Sequence, residues 1–326
     1  MPITSVTKDP ENLTMTVIAD FPVSLRRLWD AYVDPRQLEK FWGPPQFPAT
    51  FTRHDAFPGG VSTYVMTGPD GSAQGGYWEW SEVKEPEGDV ASFEVRDGFT
   101  LPDGTHNTDM PSMSMSFWFE STPGGSRVTT TTHFPSTEAL AQLLEMGMEE
   151  GLRSAMAQMD DVLADLQSFA AGRGTTLDVL SETQIRISRI IRGSVEQVWQ
   201  AHTQPELMRQ WLLGPDGWVM TTCDWTTTVG HTYRLGWARE DGTESFGFGG
   251  AFREVQAPHR LVTTERMFGD DGPETVQVIT LTPLDGGTLL TQVHTYPDRE
   301  ARDQALDSGM VEGMEPTYAR LEALLA

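Results

Sequence analysis

Hydrophobic periodicity near the start of the chain predicts one strand followed by two short helices. Apolar and polar residues alternate over positions 14–19, as in a strand with one buried face. Ser24 is suited to cap a helix over residues 25–33, in which apolar side chains recur on one face. Pro35 then marks the first turn of a second short helix, which we predict to run through Trp42.

A long segment after this pair of helices has the pattern of successive strands joined by turns. Glycine- and proline-rich clusters divide it, which is typical of hairpin connections. Residues 113–119 alternate strictly and place Met113, Met115 and Phe117 on one face of a strand. The segment therefore predicts an antiparallel sheet of about six to seven strands when the first strand is included.

A helical pattern closes this part of the chain. Ser136 is suited to cap a helix that we predict as one continuous element reaching Ser168. Gly147 and Gly151 are four residues apart and would lie on one face of that helix. Because glycine weakens a helix, the pair indicates either close packing of helix on sheet or space for a ligand beneath the helix.

The chain repeats itself. Trp29 in LRRLWDAYVDPRQLEKFW matches Trp199 in VEQVWQAHTQPELMRQWL, 170 residues later. Near the ends of the two copies, Gly124 in PGGSRVTTTTHFP matches Gly286 in LDGGTLLTQVHTYP. We therefore predict two tandem domains of one fold, residues 1–170 and 171–326. In the second copy the predicted elements are a strand at 184–190 and helices at 195–203, 205–212 and 298–325.

The repeated order of elements predicts an α+β fold. Each domain would be a curved antiparallel sheet wrapped round a long C-terminal helix, with a cavity between sheet and helix. Two glycines in the segment 170–176 make it a plausible linker.

Composition and net charge exclude some classes of partner but say little about the fold. The chain has 326 residues and a formal net charge of −24, which argues against nucleic acid and anionic membrane surfaces as partners. No apolar run approaches the length of a membrane span, and no signal peptide is visible at the start, so we expect a cytoplasmic protein. Its one cysteine, Cys223, excludes an intramolecular disulfide and a cysteine-rich zinc site.

The motifs of both copies resemble one known superfamily. LWDAYVDPRQLEKFWGP, FPGG, GPDG and MGMEEGL in the first copy, and VWQAHTQPELMRQWLLGP and GMVEGM in the second, are similar to the SRPBCC superfamily (START or Bet v 1-like, with a helix-grip fold). Within it, the chain resembles relatives of the C-terminal domain of the activator of heat-shock protein 90 ATPase. The resemblance implies a tandem helix-grip architecture and leaves function open, because this fold serves lipid carriers, hormone receptors, aromatase/cyclases and chaperone regulators.

Candidate ligand contacts are aromatic and methionine side chains that would line the cavities. They are Trp42, Phe47, Tyr64, Trp78, Met113, Met115, Phe117 and Met148 in the first copy, and Trp211, Trp218, Tyr233, Phe252, Met267, Met310 and Met314 in the second. The same residues are more simply explained as ordinary core.

Candidate catalytic residues are Tyr64, Tyr233, His231 and Arg53. A buried His231 or His294 beside Asp224 or Glu265 would also suit acid–base chemistry, although surface histidines are commoner. Gly75-Gly76 and Gly249-Gly250 indicate bulges or close approach of other groups. The sequence predicts no metal site and no cofactor, because it lacks a phosphate-binding loop and a histidine pair at metal-ligand spacing.

The leading hypothesis is a non-catalytic protein that binds a small hydrophobic or amphipathic ligand. One alternative is an aromatase/cyclase-like or hydrolase-like enzyme that uses the same cavity. The other is a chaperone-regulating interaction module, which would expose an apolar patch on the outer face of its sheet. A homodimer or a chaperone contact is left open, and membrane insertion is not expected.

Overall fold

A computed structural model describes residues 2–165, 174–214 and 216–326, apart from the side chains of Val311 and Glu312. The chain separates into two compact units, residues 1–167 and 168–326. The predicted boundary between residues 170 and 171 lies outside the described residues.

The first unit is an α+β unit with eight strands and four helices among its described residues. The strands are β1 (Ile3–Asp9), β2 (Thr14–Phe21), β3 (Ala49–His54), β4 (Val61–Thr67), β5 (Ala73–Glu87), β6 (Val90–Thr100), β7 (Met113–Thr122) and β8 (Gly125–His133). The helices are α1 (Leu25–Val33), α2 (Pro35–Leu38), α3 (Thr137–Glu145) and α4 (Met148–Ala164).

The second unit repeats this order of elements, again counted over its described residues. Its strands are β9 (Thr176–Val179), β10 (Gln184–Ile191), β11 (Trp218–Asp224), β12 (Thr232–Arg239), β13 (Ser245–Gln256), β14 (Arg260–Met267), β15 (Thr275–Leu284) and β16 (Gly287–Thr295). Its helices are α5 (Val195–Thr203), α6 (Pro205–Trp211), α7 (Arg299–Asp307) and α8 (Met310–Leu325). The predicted tandem α+β fold is confirmed.

Both units hold one antiparallel sheet with matching strand order. The order is β1-β2-β8-β7-β6-β5-β4-β3 in the first unit and β9-β10-β16-β15-β14-β13-β12-β11 in the second. Each sheet therefore has eight strands, one more than the upper limit of the sequence prediction. The additional strands, β1 and β9, lie at sheet edges. Strand β1 lacks the clean alternation that reveals a half-buried strand, and β9 has only four residues, with its apolar side chains exposed.

Helix α1 begins and ends where the sequence predicts, because the Ser24 hydroxyl accepts a hydrogen bond from the backbone N–H of Arg27. Helix α2 is shorter than predicted and ends at Leu38. After Leu38 the chain forms tighter turns up to Trp42. There the N–H of Phe41 donates to the carbonyl of Leu38, three residues earlier, at 3.1 Å, instead of to the residue four positions earlier as in an α-helix.

The predicted continuous C-terminal helix is wrong in both units. Gly147 has φ of +88° and separates α3 from α4, and Gly309 has φ of +73° and separates α7 from α8. Gly147 and Gly151 therefore do not share a face of one helix. The left-handed backbone at the break is the reason for glycine there, since a Cβ atom is unfavourable in that conformation.

Alanine substitutions at these two glycines of the first unit are expected to have opposite effects. Gly147→Ala should lower the free energy of unfolding by about 1 kcal/mol, because it forces a Cβ atom into a left-handed backbone. Gly151→Ala should raise it by roughly 0.5–1 kcal/mol, because Gly151 lies inside α4 with no atom near its missing Cβ. Urea unfolding of both variants checks this, and equal effects would contradict the role assigned to the break.

The inner face of each sheet is the one that contacts the helices. In the first unit, Leu140 and Leu143 of α3 and Leu152 of α4 pack against Met15 and Met113. In the second, Tyr318 and Leu321 of α8 pack against Leu281 and Leu290.

An aromatic cluster fills the centre of the first unit. Trp29 and Tyr32 of α1 pack against Phe93, Phe117 and Phe119, with ring centroids 5.2 to 5.9 Å apart. Many of the aromatic side chains therefore belong to the hydrophobic core, which is one of the two interpretations given in the sequence analysis.

Candidate functional site

In the first unit, a tyrosine ring lies across a glycine on the inner face of the sheet. Tyr64 of β4 is paired with Gly76 of β5. A Cβ atom on Gly76 would lie under 3.0 Å from the ring and hydroxyl of Tyr64. Gly76 therefore provides the space in which the Tyr64 ring crosses β5 towards β6.

The Tyr64 side chain points to the carboxyl group of Asp97 on β6. Asp97 is only 8% exposed, and it is paired with Trp78, whose indole Nε1–H donates to Oδ1 at 2.8 Å. The Tyr64 hydroxyl is the second hydrogen-bond donor to this carboxyl group. Burial raises the pKa of Asp97 to about 7. The two hydrogen bonds lower this pKa, but their effect is smaller than that of burial. Trp42 packs edge-on against Trp78 with ring centroids 4.6 Å apart.

The second unit contains the same arrangement. Tyr233 of β12 is paired with Gly250 of β13, and its hydroxyl donates to the carbonyl of Thr264 at 2.9 Å. That hydroxyl also lies 3.5 Å from Oε2 of Glu265 on β14. Burial raises the pKa of Glu265 to about 7, although the amide of Gln277 donates to its Oε1 at 2.5 Å.

Register with the following strand places the two carboxyl groups at equivalent positions, although register with the preceding strand differs: Asp97 is paired with Trp78, whereas Arg266, next to Glu265, is paired with Gly249. Asp97 of β6 is paired with Met113 of β7, and Glu265 of β14 is paired with Thr275 of β15. We refer to Tyr64 with Asp97, and to Tyr233 with Glu265, as the tyrosine–acid pair of each unit. Each pair places one titratable carboxyl group within hydrogen-bond reach of a phenol.

Most predicted ligand contacts lie inside the two units. Fully buried ones are Trp42, Tyr64, Trp78, Met113, Met115, Phe117, Trp211, Tyr233 and Phe252, and half-buried ones are Phe47, Met148, Trp218, Met310 and Met314. Met267 differs, because its side chain is 51% exposed. It follows Thr263 and Glu265 on the same face of β14, so it lies at the rim of the inner face rather than within it.

Two of the four catalytic candidates do not belong to an interior site. His231 is exposed, because it lies in the turn before β12 rather than on the inner face. Arg53 directs its guanidinium group to the buried carboxylate of Asp55, 2.5 Å away. Of the four candidates, Tyr64 and Tyr233 thus lie beside a buried carboxyl group on the inner face, whereas His231 and Arg53 do not.

The histidines behave differently in the two units. His294 is buried on β16, and burial lowers its pKa to about 4, so the ring is neutral at neutral pH. His133, at the end of β8, is exposed. His54 is also buried, and its Nδ1 lies 3.0 Å from the hydroxyl of Ser62, which accepts a hydrogen bond from the indole of Trp80. Ser62 is fully buried, which makes this network part of the core.

Sequence reasoning missed Asp97 and Gln277 and considered Glu265 only as a partner for histidine. The signal was present in VASFEVRDGF, where alternation places Asp97 on the same face as Phe93 and Val95. The glycine pairs at 75–76 and 249–250 were correctly associated with close approach. The approaching group is the Tyr64 ring at Gly76 and, at Gly250, chiefly the backbone carbonyl of Thr264, with the Tyr233 ring next to it.

No group of three or more metal-ligating side chains occurs among the residues that the structure describes. None of the described helices combines the length and the apolar character that crossing a bilayer requires. Cys223 is buried, and burial raises the pKa of its thiol.

Several solved structures are similar to about half of this chain. A crystal structure of a Mycobacterium smegmatis protein is 47% identical over 50% of this chain and 98% of its own length, with a TM-score of 0.46. A solution structure of an Arthrobacter aurescens protein is 38% identical over 50% of this chain and 92% of its own, with a TM-score of 0.46. An AHSA1-like protein from Aeromonas hydrophila is 25% identical over 43% of this chain and 93% of its own, with a TM-score of 0.37.

A search of curated proteins finds no match. The model of the family described as "Activator of Hsp90 ATPase homolog 1-like protein" matches residues 22–164 and, a second time, residues 192–326. This chain therefore belongs to the AHSA1 family, within the SRPBCC superfamily, and contains its domain twice.

Proposed function

We propose that the protein binds a small molecule that is largely apolar and carries a hydrogen-bonding group. The observation that supports this proposal is the tyrosine–acid pair, which is repeated in both units on an inner face otherwise rich in aromatic and methionine side chains. Small-molecule sites typically combine apolar walls with a few polar groups that orient the ligand. Ligand burial would supply roughly 25 cal/mol per Å² of apolar surface.

The protonation state of the pair suits an uncharged ligand. A carboxyl group with a pKa near 7 is protonated in much of the protein at neutral pH, so it can donate as well as accept a hydrogen bond. Burying an unpaired carboxylate at this place costs free energy, and burying an unpaired charge on the ligand does so as well. A hydroxyl or carbonyl group on the ligand fits this arrangement.

The contacts favour binding over proton transfer. The Tyr233 hydroxyl already donates its proton to the backbone carbonyl of Thr264, and burial raises the pKa of this phenol further from neutrality. An acid–base catalyst is expected to have a pKa near the working pH and a proton free to move. Tyr233 therefore serves better as a fixed dipole than as a catalyst.

The outer face gives little support to an interaction module in the first unit. Trp118 of β7 is 46% exposed there, but it is paired with Ser92 on one side and Thr129 on the other. Along its own strand it is flanked on that face by Ser116 and Glu120. A single exposed tryptophan among polar neighbours is ordinary surface and not an apolar patch.

Binding of 2-naphthol, followed by tryptophan fluorescence and calorimetry, tests the proposal. We expect saturable binding by the full chain. Tyr64→Phe removes the phenol hydroxyl of the first unit and Tyr233→Phe that of the second. The substitution in whichever unit holds the ligand should weaken binding about tenfold, because one hydrogen bond contributes about that much. Native mass spectrometry of the purified protein should show a co-purifying ligand.

Tyr77→Phe is the matched control. Tyr77 is on the opposite face of β5 from Gly76 and stacks on His106 with ring centroids 3.7 Å apart. Loss of its hydroxyl should leave 2-naphthol binding unchanged. Absence of saturable binding together with absence of a co-purifying ligand would refute a small-molecule function.

A further inference from the structure

The two units differ in what surrounds the tyrosine–acid pair. Register aligns Met115 of β7, paired with Thr132, with Gln277 of β15, paired with His294. Two residues further along, Phe117 is paired with Thr130, whereas Ile279 is paired with Gln292. The second unit therefore carries an amide and an imidazole where the first carries a methionine and a threonine.

The helical side of the interior shows the same change. The residues that match by the 162-residue spacing of the C-terminal segments are Phe134 with Tyr296 and Met156 with Tyr318. In each case the second unit has a phenol where the first has an apolar side chain. Tyr296 stacks on His294, with ring planes 16° apart, and Tyr318 of α8 is fully buried.

These polar groups of the second unit are neighbours across adjacent strands and α8. The Gln277 amide donates to Glu265, and Gln277 is paired with His294 on the neighbouring strand. Nε2 of His294 lies 3.4 Å from Oε1 of Gln292. The hydroxyl of Tyr318, which Gln292 influences, is buried and has no hydrogen-bond partner among the described residues. We call Glu265, Gln277, His294, Gln292 and Tyr318 the polar row.

Exposure separates the two interiors as well. In the first unit, Asp97, Met115, Phe117 and Thr130 are no more than 8% exposed. Their counterparts in the second unit, Glu265, Gln277, Ile279 and Gln292, are all partly exposed. Met267, at the rim of the same face, is 51% exposed. Solvent therefore reaches the inner face of the second sheet, whereas side chains fill the equivalent place in the first.

We propose that the second unit is the ligand-binding copy, that its polar row binds an uncharged molecule bearing a hydroxyl or carbonyl group, and that the first unit has a filled, structural core. This inference rests on the proposed function and adds the location and the ligand chemistry. A neutral imidazole, two amides and a phenol offer donors and acceptors without a fixed charge. Such groups discriminate strongly against an analogue that leaves them unpaired.

Exchange of the differing residues between the units tests this inference. The double variant Gln277→Met and His294→Thr gives the second unit the residues of the first. Binding of 2-naphthol and of naphthalene, which lacks the hydroxyl, is measured by calorimetry on the full chain. The wild-type protein should prefer 2-naphthol about tenfold, and the double variant should lose that preference.

Two further variants guard against a trivial loss of folding. Tyr318→Phe removes a single hydroxyl from the polar row and should also reduce the preference for 2-naphthol. Val276→Met changes the outer face of β15 and should leave it intact. The reciprocal Met115→Gln and Thr132→His, in the first unit, should leave binding as in the wild-type protein.

The results also separate this inference from the proposed function. Equal affinity for both probes, or binding that is lost in Tyr64→Phe but kept in the double variant and in Tyr318→Phe, would overturn the inference while small-molecule binding stands. If the wild-type protein binds neither probe and carries no ligand, both proposals are overturned.

Discussion

Gly250→Ala is expected to lower the free energy of unfolding of the second unit by about 3 kcal/mol or more. A Cβ atom at this position would lie far under 3.0 Å from the backbone carbonyl of Thr264, on the neighbouring strand. A flexible side chain could move away, but a backbone carbonyl held in a sheet cannot do so without separating β13 from β14. The shift would also displace Tyr233, whose hydroxyl donates to that carbonyl.

Gly313→Ala in the same unit is the matched control. Gly313 lies in α8 with no atom within 4 Å of its missing Cβ, so the substitution should be neutral or slightly stabilising. Thermal and urea unfolding of the full chain measure both variants. If Gly250→Ala lowers the free energy of unfolding no more than Gly313→Ala does, the close approach at Gly250 does not contribute to stability.

Asp97→Asn is expected to stabilise the first unit at pH 8 and to have little effect at pH 4. Asparagine has nearly the shape of aspartic acid, and its carbonyl can still accept the hydrogen bond from Trp78. It cannot ionise, so it removes the cost of a carboxylate in this buried place.

The direction follows from the pKa of Asp97 in the two states. The ordinary value is 3.8, and burial raises the pKa to about 7 in the folded protein. The folded state therefore retains a proton that the unfolded chain releases between these values. The resulting stabilisation is complete below pH 3.8 and is lost as the pH rises through 7. The difference between variant and wild type should reach on the order of 4 kcal/mol at pH 8.

Comparing variant with wild type at each pH isolates this carboxyl group. His202 and His294 have pKa values lowered to about 4 by burial, so their contribution is present above pH 6.5 and is lost as the pH falls. It is common to both chains and cancels in the difference. Asp70→Asn is the control, because hydrogen bonds from Ser72 lower the pKa of Asp70 and predict an effect of opposite sign. A pH-independent difference between Asp97→Asn and wild type would refute the assigned pKa.

Elements with a local signal were predicted well. The bounds of α1 and α5 match the prediction, because each has a serine cap and a clear apolar face. Breaks in periodicity were harder, since Gly147 and Gly309 occur within otherwise helical patterns. Their left-handed backbone depends on how α3 and α7 turn back onto the sheet, which helix propensity does not specify.

Part of the candidate site was also accessible from the sequence. The repeated tyrosine and glycine pair, Tyr64 with Gly76 and Tyr233 with Gly250, is visible in both copies. The acid that completes each pair is not, because it follows about 30 residues later and no fixed spacing connects it to the tyrosine.

The sequence alone determined the tandem repeat, the α+β class and the buried face of clearly alternating strands such as β2 and β7, because these depend on local periodicity. Only the tertiary structure decided which side chains meet across strands. Register depends on turns and on bulges such as those at Trp80 in β5 and Phe252 in β13, which shift the cross-strand neighbours of every later residue. The structure thereby brought Tyr64 to Asp97 and Tyr233 to Glu265, and it filled the first interior while leaving the second partly open.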